Sequence, residues 1–209
     1  MVKLTIKHQE SYSRGELLLR TFFGAFYMAL PHLFAIIIFA IGAMVLNFLS
    51  FWVVLFTGKF PRGWFDYMVK LQRWSYRLNA RLLNLSDGYP AFGLNGTDDA
   101  TSFDIDYPEK LSRGLVLARL FFGIFYVYIP HIFCLYFRLI WNYILIFCAW
   151  WAVLITGKYP KSMHDFTVGT LRWGARINAY MMFMTDQYPP FSGKEETTEA
   201  AADMQFASK

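Results

Sequence analysis

Charge is scarce in this chain of 209 residues: 17% of it is Asp, Glu, Lys or Arg, where a soluble domain carries about 25%. The scarcity is local. From Leu33 to Phe56 there is no charged residue, and Asn47 and Ser50 are the only clearly polar side chains. A solvated surface helix is excluded for such a run, and its length meets the roughly 20 residues that a hydrocarbon core requires. A matching run, Ile132 to Ile155, is interrupted by Arg138, its one charged residue. Cysteine is nearly absent. Cys134 and Cys148 both fall in the second apolar run, so a disulfide framework or thiolate metal site is not expected, and they read as small apolar filler. No basic domain or base-reading motif accompanies the net charge of +5, which argues against nucleic acid as a partner. Residues 1–16 are mostly polar, and the first apolar run recurs later, so it belongs to the fold rather than to a cleaved signal.

What is abundant is apolar and aromatic: 56% and 20% of the chain. It is also written twice. Offset by 99 residues, positions 13–92 align without a gap on 112–191, with 34 identities in 80 pairs. The shared strings include Ser13-Arg14-Gly15, Pro31-His32, Thr57-Gly58-Lys59, Arg73-Trp74-x-x-Arg77 and Asp87-x-Tyr89-Pro90-x-Phe92. A fixed-period repeat dictates architecture before any local reading. The chain divides into an N-terminal segment (1–12), repeat 1 (13–92), an acidic linker (93–111), repeat 2 (112–191) and a polar tail (192–209) that carries Glu195, Glu196 and Glu199 and reads as disordered or ordered by a partner.

Each unit reads as a short apolar helix, a break, a long apolar helix and an amphipathic helix. Ser13 is the expected N-cap of the first, with Glu16 as its capping-box partner. Pro31-His32 and Pro130-His131 are read as hairpin turns, because proline disfavours helix in the residue before it. Thr57-Gly58-Lys59-x-Pro61 is a helix stop. From Trp64 to Leu85, apolar residues recur every three or four positions, and Lys70, Arg73, Arg77 and Arg81 share another face. That pattern predicts a helix in the membrane interface with its cations toward anionic headgroups, the alternative being a helix packed on its own protein. The Lys/Arg excess after both long helices predicts that both leave the membrane on the cytoplasmic side. The copies would then be parallel, each crossing an even number of times, with the termini and the 93–111 linker cytoplasmic. The expected fold is an all-α membrane protein: a tandem parallel repeat whose units are transmembrane or re-entrant helical hairpins plus an amphipathic interfacial helix.

The candidates for lipid or partner contact are Arg73, Trp74, Arg77, Arg138, Arg172, Trp173 and Arg176. The carboxylates Asp66, Asp87, Asp165 and Asp186 would pair with such arginines or complete a phosphate site. His32 and His131 either bind carbonyls freed at the kink or titrate or hold a metal. Arg138 replaces the Phe39 of repeat 1; it either snorkels to the surface or meets a partner subunit or the other repeat.

The set S-R, P-H, T-G-K-[FY]-P, R-W-x-x-R-x-N-A and D-x-Y-P-x-F resembles that of a family of bacterial and archaeal membrane proteins known only as a domain of unknown function. Repeat 2 fits its pattern more closely, through Ile129-Pro130-His131 and Tyr188-Pro189-Pro190-Phe191. The resemblance implies membrane location and no particular activity. The residues themselves supply no catalytic, cofactor or metal constellation. The expected role is that of a non-enzymatic subunit or scaffold of a larger inner-membrane complex, in contact with anionic lipid headgroups and other membrane proteins. The alternative is a small transporter or lipid-handling protein with its site between the repeats.

Overall fold

A computed structural model describes residues 1–195. Its elements run β1 (Val2–Ile6), α1 (Arg14–Thr57), α2 (Arg62–Leu82), β2 (Thr101–Ile105), α3 (Arg113–Thr156) and α4 (Lys161–Met181). α1 and α3 are each 44 residues long and apolar enough to cross a membrane. At 1.5 Å per residue they are about 66 Å in length.

The expected hairpin turns at Pro31-His32 and Pro130-His131 are not turns. α1 continues through the first as Arg14–Gly24, a π-helical stretch Ala25–Ala29, and Leu30–Thr57. α3 does the same through Ile124–Tyr128. The reason lies in backbone hydrogen bonding. Pro31 has no N–H to give the carbonyl four residues back, and the π stretch widens the helix at that point. The orphaned carbonyl of Tyr27 accepts from the Tyr89 hydroxyl at 3.4 Å, and that of Tyr126 accepts from Tyr188 at 2.8 Å. The tyrosine of D-x-Y-P-x-F thus replaces the donor that the proline removed, and the helix continues.

The start of each long helix is held by a serine. Ser13 Oγ accepts from Glu16 N, and Ser112 Oγ from Leu115 N. The capping box does not close: Ser13 N donates to Asp87, and Glu16 accepts from Gly88 N at 2.6 Å. Both ends stop on glycines at φ +73° and +72°, Gly58 and Gly157, a left-handed conformation that a side chain resists.

The long helices meet end to end in opposite directions, so the parallel arrangement expected from the basic flanks is corrected. Tyr12 N donates to Gly157 O, Arg14 to Ile155 O, and Leu111 N to Gly58 O. The start of each helix lies against the end of the other. α2 and α4 follow their long helices after Pro61 and Pro160, and a two-stranded antiparallel ribbon, β1 with β2, lies over them. The ribbon crosses between repeats: β1, which precedes repeat 1, packs on α4, and β2 packs on α2. One core joins Phe51 and Val54 of α1, Phe65, Met68 and Val69 of α2, Phe103 of β2, and Ala175 and Ala179 of α4. A second joins Leu17, Ala80 and Leu85 of repeat 1 to Ala149, Val153 and Val168 of repeat 2.

The 93–111 segment is not the exposed connector expected from its acidity. It carries β2, its Asp98 is buried against Arg81, and its Asp106 pairs with Lys3. The head of the polar tail is ordered as well, because Ser192, Gly193 and Lys194 give their carbonyls to arginines of α4. Glu196 and Glu199 lie outside the described residues.

Candidate functional site

Within each repeat the polar residues converge on the long helix from the layer of α2, α4, the ribbon and the D-x-Y-P-x-F segments. Arg20, two turns after the cap, is buried; its guanidinium donates to Ser86 O at 2.7 Å and to Asp87 at 2.8 Å. Asp87 in turn accepts from Ser13 N at 2.7 Å. Repeat 2 builds the same bridge from Arg119, Asp186 (2.5 Å) and Ser112 N (2.6 Å). Arg119 also lies 3.9 Å over the Tyr180 ring. Arg20 and Arg119 are absent from the sequence candidates. The signal was available: an arginine in an apolar helix, kept in both copies 67 residues before an aspartate kept in both copies.

One helical stripe further, His32 is fully enclosed, with Trp74, Tyr89 and Phe92 around its ring. Trp74 Nε1 donates to His32 Nδ1 at 2.8 Å, and Trp173 Nε1 to His131 Nδ1 at 2.9 Å. Neither histidine binds a freed carbonyl. An indole N–H can only donate, so each neutral imidazole carries its proton on Nε2, which has no hydrogen-bond partner. Phe191 stacks on His131 at 3.9 Å. The shared strings P-H, R-W and Y-P-x-F are therefore one assembly that caps the kink of the long helix. Among the described residues no group of three His, Cys, Asp or Glu side chains could hold a metal.

The arginines and tryptophans expected to face lipid turn inward instead. Trp74, Arg77, Arg172, Trp173 and Arg176 are buried. Arg77 donates to the carbonyls of Gly93 and Gly96, and Arg176 to those of Ser192 and Lys194. Arg172 spans Leu4 O, Gly193 O and Glu195, and half-buried Arg73 binds Phe103 O and Asp104. Their task is to satisfy the carbonyls of irregular segments and of the ribbon, which have few other donors. Asp66 and Asp165 pair within their own helices, with Arg62 and Lys161.

Arg138 is the exception. Its Nε donates to Thr170 Oγ1 at 2.9 Å, Nη2 donates to Phe166 O at 3.2 Å, and the guanidinium lies 4.1 Å over the Phe166 ring. It contacts α4 of its own repeat. It borders a cavity of about 590 Å³ between α3, α4, β1 and the 191–195 segment.

Asp98 and His164 are buried titrating groups of the polar layer. Burial pushes the Asp98 carboxyl up, but hydrogen bonds from Arg81 and Ala100 N and the Arg81 charge outweigh this and hold it below the ordinary carboxylate range. His164, buried on α4, has its pKa lowered by burial and then by His8, whose ring is 5.0 Å away; Asp165 and Leu85 O oppose this more weakly. An unfolded histidine takes a proton near pH 6.5, whereas the folded one resists it. Stability is thus complete above about pH 6.5 and falls as the pH drops toward the folded value. The melting temperature in detergent is expected to decline between pH 7.5 and 5.5, and His164→Gln to flatten that decline. An unchanged slope in the variant would remove His164 from the account.

Residues 116–193 match a family described as a domain of unknown function (DUF4389). No curated protein matches the chain, and no solved structure does.

Proposed function

We propose that this chain is a non-enzymatic, membrane-embedded scaffold whose two long helices lie along one face of the bilayer rather than through it. One observation carries the reading. Among the described residues, every large exposed apolar side chain belongs to α1 or α3, except Tyr89, Phe92, Tyr188 and Phe191, which cap the helix kinks. The exposed set extends from Leu18 to Phe56 and from Leu117 to Ile155, far beyond the scattered apolar residues of a soluble surface. The opposite stripe of each helix is buried at intervals from start to end, in α1 at Leu17, Arg20, Met28 and His32 and then at Ala43, Ser50, Phe51 and Val54. Start, middle and end are all fastened to one charged layer. A helix of about 66 Å so fastened suits a plane, not a hydrocarbon core of about 30 Å. Arg14, Lys59, Arg113 and Lys158 stand at the four helix ends, where cations meet anionic headgroups. In this reading the charged layer, with the N-terminus and the 93–111 segment, faces the cytoplasm, and the scaffold serves a larger complex of the bacterial inner membrane.

Three exposed tryptophans test it: Trp52, Trp141 and Trp151. Replacing each in turn by phenylalanine, with Trp74 and Trp173 kept, and measuring the quenching lost in vesicles with spin labels at two acyl depths reports each depth. Lying helices put all three at one shallow depth, roughly 5–10 Å below the headgroups. A spanning α3 would separate Trp141 from Trp151 by up to about 15 Å, and that separation would overturn the in-plane reading. No quenching at all would overturn the membrane reading.

A further inference from the structure

The two repeats share their caps and kinks but not the cavity beside Arg138. In repeat 1 the matching cavity, about 380 Å³ beside Lys70, Arg73 and the 94–99 segment, stops short of the long helix: Phe39 stands for Arg138, and the Tyr67 hydroxyl bonds the Phe39 carbonyl at 2.7 Å. Lys70 and Leu71 stand where repeat 2 has Gly169 and Thr170. Those replacements open the site. A Cβ on Gly169 would lie 3.0 Å from Arg138 Nη2 and from Gly193 O, so only glycine leaves the guanidinium its place. Phe166, lacking the tyrosine hydroxyl, offers its ring to the cation instead.

The electrostatics of the cavity are one-sided. Its lining sets Arg138, Lys161, Arg172 and Lys194 against Asp165 and Glu195. Both carboxylates already have cations, Lys161 at 2.6 Å and Arg172 at 2.7 Å. Arg138 has no carboxylate partner among the described residues. Its Nε and Nη2 are engaged, and Nη1 makes no hydrogen bond among the described residues and is not enclosed. A guanidinium held by Thr170 and Phe166 with one edge free is the fork that binds a phosphate oxygen pair. Trp141, one turn along α3, is exposed beside it.

From this geometry we propose that the cavity binds a phosphate group, presented as the headgroup of an anionic phospholipid whose acyl chains lie on the apolar face of α3. The lipid source rests on the membrane reading above; the phosphate chemistry does not. Only the cavity of repeat 2 is lined by an arginine of the long helix, so binding is one headgroup per chain.

The test is native mass spectrometry of the protein released from nanodiscs holding phosphatidylglycerol and phosphatidylcholine in equal amounts. The wild-type chain is expected to retain one phosphatidylglycerol in preference to phosphatidylcholine. Arg138→Gln is expected to lower that preference about fivefold, the weight of one cation at a membrane surface. Ser162→Trp, an exposed rim position, blocks the cavity without touching charge or core and should do the same. Phe39→Leu, in repeat 1, should leave retention unchanged. A parallel arm measures inorganic phosphate binding in phosphatidylcholine nanodiscs by calorimetry. Binding there that is lost in Arg138→Gln, without any lipid preference, assigns the site to a soluble phosphate compound. Equal retention in wild type, Arg138→Gln and Ser162→Trp, with phosphate binding also unchanged, overturns the site. Failure of the tryptophan depth measurement with a phosphate arm still sensitive to Arg138 removes the lipid and keeps the anion.

Discussion

Arg119→Met is expected to destabilise the protein by about 3 kcal/mol, the low end of what breaking a buried ion pair costs. The Arg119 side chain is fully enclosed, whereas Asp186 keeps 28% of its surface, so the aspartate recovers some hydration when the arginine goes. Three interactions leave together: the bond to Asp186, the bond to Tyr180 O at 3.1 Å, and the cation over the Tyr180 ring. Asp186 would retain only Ser112 N, and the start of α3 would loosen. Denaturant titration in mild detergent measures the loss. In a double-mutant cycle with Asp186→Asn, the coupling should exceed about 1 kcal/mol. A single-variant loss below 1 kcal/mol would show that the bridge is incidental to stability. Arg20→Met, without a ring beneath it, should cost no more than Arg119→Met.

Trp74→Ala should cost about 3–5 kcal/mol, the usual range for removing a large aromatic side chain from a close-packed interior. Trp74 is fully buried, lies against Phe39 and Phe92, and supplies the hydrogen bond that His32 Nδ1 accepts. Trp74→Phe divides the effect. It keeps most of the packing and strands a buried imidazole acceptor, at about 1–3 kcal/mol. If Trp74→Phe were as harmful as Trp74→Ala, the hydrogen bond would carry the kink. If it were neutral, the indole would serve as filler and the histidine-to-tryptophan link would have no energetic role. Measured by thermal melting, the alanine variant should also loosen α1 near Ala25–Ala29, since α2, which carries Trp74, contacts that stretch.

Much of the helix plan was legible in the residues. The long apolar runs, the glycine stops at Gly58 and Gly157 and the serine caps appear where patterning and local chemistry put them, because each is decided within one or two turns. The amphipathic segments were legible as helices but not in their facing. Arg77 and Trp74 look like a headgroup-facing pair by periodicity, yet the carbonyls of Gly93 and Gly96 and the nitrogen of His32 claim them. Those acceptors are 16, 19 and 42 residues away. The ribbon was missed because Val2–Ile6 and Thr101–Ile105 are five residues each and pair across a hundred positions. The Arg20–Asp87 and Arg119–Asp186 bridges were missed for the same reason.

By itself the sequence determined the duplication, the apolar character of α1 and α3, and the asymmetry of Arg138, since these need only composition and offset. Tertiary structure decided whether Pro31 and Pro130 turn the chain or merely kink it. Proline removes one donor, and the outcome depends on whether another reaches the freed carbonyl. Tyr89 and Tyr188 do so from 62 residues downstream, and with that bond made the helix runs on, the repeats meet head to tail, and one continuous apolar face results.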